Sequence, residues 1–194
     1  MSAAVLLVRN DFLQALGARA RVYRSFIRNA FLTMLAYRLR YVTGILTYVI
    51  FVAVYYFIWQ AVFSGQPKGA VINGFTLPEM LTYISVGWVS RSFYFTDIDY
   101  EIDDIVKSGQ ISTYLLRPVN FQLMMLAQAV GQSLFRIAFF ALPIALTIFT
   151  LFPILPPAGL RNFSYFFVST AAGFLVLAEL NFIVGLLAFF LKSI

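Results

Sequence analysis

The chain has 194 residues, of which 61% are hydrophobic, including 18% aromatic, and only 11% are charged, for a formal net charge of +6. A water-soluble fold of this composition would lack the polar side chains to cover itself, so the sequence reads as an integral membrane protein. Cysteine and histidine are both absent, which excludes disulfide frameworks, thiolate catalysis, zinc-hydrolase ligand sets and Ser-His or Cys-His nucleophiles.

Residues 1–40 carry seven arginines, Arg9, Arg19, Arg21, Arg24, Arg28, Arg38 and Arg40, ahead of any long apolar run. Arg21, Arg24 and Arg28 recur at helical spacing, with Val22, Phe26, Ala30, Phe31 and Leu35 between them. This pattern predicts an amphipathic helix along the cytoplasmic interface or, alternatively, the solvated start of a long first helix. A charged stretch of this length has the wrong shape for a cleavable signal.

Four segments, 41–63, 77–95, 135–155 and 164–191, are long and apolar enough to cross a hydrocarbon core of about 30 Å at 1.5 Å per residue. Positive residues gather on the cytoplasmic side of membrane proteins, so the arginine-rich start places the N-terminus inside. Joints 64–76, 96–133 and 156–163 then lie outside, inside and outside. Eleven cations fall inside, Lys107, Arg117, Arg136 and Lys192 among them, against Lys68 and Arg161 outside. The whole chain, 1–194, reads as one transmembrane unit, with no soluble domain or internal repeat.

Several local signals punctuate these spans. Thr76-x-x-Glu79 before an apolar run is a capping box. Arg91, near the inner end of the second span, has a stem long enough to snorkel to phosphates. Tyr55, Tyr56, Phe57 and Trp59 suit an interfacial aromatic belt. Pro143 predicts a kink in the third span, and Gln122, Gln128 and Gln132 mark a stretch rising obliquely into it. Ser169 and Gly173 form a small-xxx-small pair suited to close helix approach. Glu179, beside Asn181 near the middle of the fourth span, is a functional hypothesis by default. It pairs with a basic group of a neighbouring helix, hydrogen-bonds across a dimer, or lines the path of a cationic substrate; Asn181 and Arg91 join it as candidates for a substrate path or intramembrane pairing.

The most informative stretch is cytoplasmic. Five of the eight acids, Asp97, Asp99, Glu101, Asp103 and Asp104, fall within eight positions. Ile98, Ile102 and Ile105 make an apolar stripe and Asp97, Glu101 and Asp104 an acidic one, which predicts a helix over roughly 96–108, capped by Thr96 and stopped by Lys107 and Gly109. Pro118 marks the next break. Such acids bind a cation, remain solvated, or face a protein. Polytopic prenyltransferases hold magnesium with aspartate-rich helices, but they need a second cluster and an Asp-x-x-Asp pair, and this chain has neither. A docking helix matches its acidic face to basic groups of a cytoplasmic partner, while the isoleucines fill a groove or pack on the bundle.

The run Asp104-Ile105-Val106-Lys107-Ser108-Gly109-Gln110-Ile111-Ser112, followed by Leu115-Leu116-Arg117-Pro118-Val119-Asn120, resembles the cytoplasmic loop of ABC-2 type transporter permeases, in the bacterial branch that accompanies daunorubicin-resistance-like ATPases. Tyr37-Arg38, Ile58-Trp59-Gln60-Ala61-Val62, Tyr83 and Gly185-Leu186-Leu187-Ala188-Phe189-Phe190 agree with that resemblance, which covers most of the chain. It implies an all-α permease of the inner (cytoplasmic) membrane, in a family whose members generally have six spans; this chain reaches only the fourth by Ile194, as a truncated or a shortened relative would. Two permease subunits, identical or different, would enclose the path and bind two cytoplasmic ATPases. ATPase docking would use Asp97, Asp99, Glu101, Ile102, Asp103, Asp104, Ile105, Lys107 and Gly109. No G-x-x-x-x-G-K-[ST] loop occurs in the chain, so ATP and magnesium would bind the partner ATPase. The resulting expectation is an exporter subunit with no catalytic, cofactor or metal residues and no nucleic-acid partner. A membrane prenyltransferase and a noncatalytic scaffold are the rival readings.

Overall fold

The computed structural model describes residues 3–37, 39–67 and 69–191, with side chains from residue 17 onward apart from 38–43 and 68. Arg38, Lys68 and Lys192 of the charge count therefore lie outside the described residues, as do the side chains of Arg9 and Arg40. Eight α-helices follow in order: α1 (Ala3–Ala36), α2 (Leu39–Ser64), α3 (Leu77–Tyr94), α4 (Ile98–Lys107), α5 (Ile111–Leu115), α6 (Phe121–Arg136), α7 (Leu142–Leu151) and α8 (Leu160–Leu186). A π-turn, Ile137–Ala141, joins α6 to α7, and a 3₁₀ turn, Leu187–Phe189, follows α8. Among the described residues there is no strand beyond one isolated bridge, Ile72 to Phe75. Its two hydrogen bonds, 2.9 and 3.1 Å, close over Asn73 and Gly74, whose φ values of 50° and 85° make the primed turn that an Asn-Gly pair favours.

Among the described residues, three helical stretches are long and apolar enough to cross a membrane: Gly44–Ser64, Phe121–Leu151 and Leu160–Phe189. Helix α3 forms where the second span was expected. Its 18 residues include Glu79, Arg91, Thr82 and three serines, and this polarity keeps it out of that set. The third stretch begins earlier than expected. Nothing between Phe121 and Pro143 breaks the helix, so the glutamine-punctuated segment is continuous with the span. Pro143 acts locally: it has no N–H to offer the preceding turn, and the widened π-turn lies immediately before it. Large apolar side chains such as Phe57, Leu146, Val168 and Ile183 are exposed on these helices, the opposite of a water-soluble surface.

The chain divides into two compact units. One comprises residues 35–96 and 133–180. Its core is Val52, Phe140, Ile144 and Ile148, flanked by Ile45, Tyr48, Trp88 and Phe152. Trp88 is held by a stacked ring from Phe51 at 5.0 Å and an edge contact from Tyr48 at 5.4 Å. The lower end of α3 is clasped from α6: Ser133 Oγ donates to the Phe93 carbonyl at 2.6 Å, and Arg136 donates to the Phe95 carbonyl. These bonds satisfy carbonyls that a helix end leaves without partners. At the other end of α3, the Thr76 N–H and hydroxyl both donate to Glu79 Oε2, at 2.8 and 2.7 Å, completing the expected capping box. Glu79→Ala is expected to lower the unfolding midpoint of the purified protein by a few degrees, and Glu79→Gln, which keeps an acceptor oxygen, by less. Equal losses for the two would show that the box is not what holds this end.

The second unit comprises residues 1–34, 97–132 and 181–194. Its most buried side chains include Ile102, Met124 and Met125. Helix α6 meets α1 at Gly131, where an added Cβ would lie 2.2 Å from the Ile27 carbonyl oxygen. The two backbones therefore approach more closely than any larger residue allows. On α1, Arg21, Arg24 and Arg28 are exposed while Phe26, Ala30, Phe31 and Leu35 are partly covered. Asn120 Oδ1 accepts the Leu123 N–H at 2.9 Å, which caps the start of α6 two residues after Pro118.

Candidate functional site

The acidic stretch folds as α4 in the second of these units. Its first helical bond runs from the Glu101 N–H to the Asp97 carbonyl at 3.0 Å, so Asp97, and not Thr96, is the N-cap. Asp99 and Glu101 then occupy the first turn, where negative charge favours the positive helix end. The helix closes as expected. The Ser108 N–H bonds the Asp104 carbonyl at 2.9 Å, and Gly109 takes φ of 73°, a left-handed position where a Cβ is costly.

Packing splits the helix into two faces. Ile98, Ile102 and Ile105 are 3%, 0% and 9% exposed. Gly185 of α8 allows this, since a Cβ there would lie 3.0 Å from both Asp99 Cα and Ile102 Cβ. Ile102 and Ile105, expected among the docking contacts, are thus spent on seating the helix. Glu101 also belongs to the inner side, where its Oε1 accepts a hydrogen bond from Gln132 Nε2. Facing outward are Asp104, half-exposed Asp103, and Tyr100 at 72% exposure. Lys107 Nζ pairs with Asp103 Oδ2 at 2.8 Å, one turn away, with both side chains open to solvent. Tyr100 was not singled out by the sequence, because an aromatic residue within an acidic run gives no sign of which face it takes.

Beyond the Gly109 turn, α5 and the following turn extend this exposed surface. Leu116 is 85% exposed, and the Arg117 guanidinium stacks 4.5 Å from the Tyr114 ring centroid. Among the described residues there is no group of three or more His, Cys, Asp or Glu side chains placed to hold a metal ion.

The three polar residues expected within the spans separate. Glu179 and Asn181 are half-buried on α8, and each engages another group of the protein. Arg91 is exposed in the last turn of α3, with its guanidinium 5.3 Å from the Phe95 ring centroid. It lines a groove of about 1110 Å³ between the facing sides of α3 and α8, lined wholly by residues of the 35–96 and 133–180 unit. Glu179 and Asn181 are not among its lining residues.

Long apolar helices with outward-facing apolar side chains, joined by a polar helical segment, define a multi-pass membrane protein of the all-α class. The family model described as ABC-2 family transporter protein matches residues 49–194, and the chain accordingly belongs to the ABC-2 transporter family, whose members are membrane permeases and not generally catalysts. No curated protein and no solved structure matches the chain.

Proposed function

We propose that the chain is the permease subunit of an ABC exporter and that the outer face of α4 is where a separate cytoplasmic ATPase docks. Four spans, with α3 as the second, would place the N-terminus, α4 and α5 on the cytoplasmic side of the inner membrane, consistent with the positive residues on that side. At 18 residues, α3 would be about 27 Å long, close to the thickness of the hydrocarbon core. A second permease subunit would complete the path, and the partner ATPase would carry ATP and magnesium. ATP-driven closure of the ATPase pair would move α4, and the movement would pass through Phe95 and Thr96 to the clasped end of α3, tilting the spans.

The observation that carries this reading is the division of α4. Its isoleucines are consumed within the protein, leaving Tyr100, Asp103, Asp104 and Lys107 outward, with the exposed Leu116 beyond. An aromatic anchor among charges is the composition of a protein contact. The test is the double reversal Asp103→Lys, Asp104→Lys, assayed by copurification with an ATP-binding subunit encoded beside this chain. Placing like charges across the contact is expected to cost about 3 kcal/mol, more than a hundredfold in affinity. The folding cost is small, because the exposed Asp103 to Lys107 pair is worth only about 0.5 kcal/mol. Undiminished copurification would sink the docking assignment.

A further inference from the structure

Two features of the α3–α8 groove were not anticipated. The first is that its glycines face open space. Gly131 and Gly185 each meet another helix within about 3 Å of where a Cβ would stand, whereas Gly87 on α3 and Gly173 on α8 have no atom within 4 Å. The Ser169–Gly173 pair, suited to close helix approach, therefore receives no helix from the described residues. The second is the distribution of charge. Among the lining residues Arg91 is the only charged one, and the other polar groups are hydroxyls, such as those of Tyr83, Ser90, Ser169 and Thr170.

We propose that this groove binds an anionic amphiphile from the membrane, its head on Arg91 and its chain across Gly87 and Gly173, and that such molecules are the permease's substrate class. The second clause rests on the permease reading; the binding itself does not.

Length supports the assignment. The lining runs from Thr82 to Tyr94 on α3 and from Phe166 to Leu180 on α8, about 18 and 21 Å at 1.5 Å per residue. One leaflet with its headgroup region is about 20–22 Å deep, so the groove has the length of one lipid. Arg91 stands near one end of that length, in the last turn of α3, where a guanidinium reaches the headgroup level and pairs with phosphate oxygens through two parallel hydrogen bonds. The glycines lie about 6 Å further along α3 and leave room for methylene groups. Lateral entry suits a groove walled by two helix faces and otherwise open.

The test uses the full chain in lipid nanodiscs, without ATPase. Phosphatidylglycerol carrying a photoreactive group in its acyl chain is compared with phosphatidylcholine carrying the same chain. Labelled peptides from α3 and α8 are then quantified. Phosphatidylglycerol should label this groove about five-fold more than phosphatidylcholine, the selectivity expected of one cation at the headgroup level. Arg91→Gln should abolish that preference, Arg91→Lys should keep most of it, and Gly173→Phe should suppress labelling by both lipids. Equal labelling by the two lipids, or a preference that survives Arg91→Gln, overturns the site. So does an unlabelled groove in which Gly173→Cys cross-links to a second copy of the chain. Labelling that fails while the α4 charge reversal still releases the ATPase removes only this inference. Labelling that succeeds with no ATPase bound to the wild-type chain removes the permease reading and keeps the lipid site.

Discussion

Gly131→Val is expected to force α1 away from α6 at their close approach within the unit of residues 1–34, 97–132 and 181–194. The first atom a Cβ would meet is the Ile27 carbonyl oxygen at 2.2 Å, followed by Ala30 Cβ at 2.9 Å. Carbon and carbonyl oxygen rarely sit closer than about 3.3 Å, so α1 would have to withdraw by roughly 1 Å along its contact before any branch of the valine is placed. Overpacking of this kind costs about 3 kcal/mol, the upper end of its usual range. Side chains can rotate away but a helical carbonyl cannot. Removing the second obstacle with Ala30→Gly should therefore fail to rescue the variant. The measurement is amide exchange over residues 17–34 of the purified protein, which should rise sharply in Gly131→Val and stay raised in the double variant. Unchanged protection would show that α1 is not held by this crossing.

Gly185→Leu should have the second largest effect on folding, and a functional consequence as well. The space before Gly185 is filled by Asp99 Cα and Ile102 Cβ, both 3.0 Å from where a Cβ would be, so added carbons push directly on the buried side of α4. Alanine here is nearly neutral: a few tenths of an ångström of adjustment is offset by about 1 kcal/mol of improved helix propensity. Leucine adds branches with nowhere to go, at about 2 kcal/mol, and the yielding element is the ten-residue α4, which has far fewer turns to resist than the 27-residue α8. ATPase copurification should fall with every charged residue of α4 intact, and amide exchange over 98–107 should rise in parallel. Loss of copurification without any change in exchange would mean that Gly185 acts elsewhere.

Much of the fold was legible because its strongest signals are periodic. The apolar runs lie within a few residues of α2, α3 and α8, the third run begins well after the stretch that contains it, and the Ile98, Ile102 and Ile105 stripe gave α4 its register and its inner face. The acids of α4 were harder to read. Five carboxylates at mixed spacing surround a helix, and which of them face inward depends on Gly185 and Gln132, eighty-odd and thirty-odd residues away in sequence. The glutamine-punctuated stretch was read as leading into the third span, but not as part of the span itself, for a related reason. Polar glutamines and Gly131 look like interruptions until a packed partner occupies the glycine's face. The groove has no sequence signature at all. A small-xxx-small pair reads the same whether a helix fills it or leaves it open, and only the empty space before Gly87 and Gly173 tells the two apart.

The two-faced construction of α4 also bears on how such a subunit could change its allegiance. Ile98, Ile102, Ile105 and Glu101 hold the helix in place, while Tyr100, Asp103, Asp104 and Lys107 contribute almost nothing to that hold. On the docking proposed above, drift at the outer four positions would leave the folded chain undisturbed while rewriting which engine it accepts. Related permeases could then diverge in their ATPases through a handful of neutral-to-fold substitutions, without passing through an unstable intermediate.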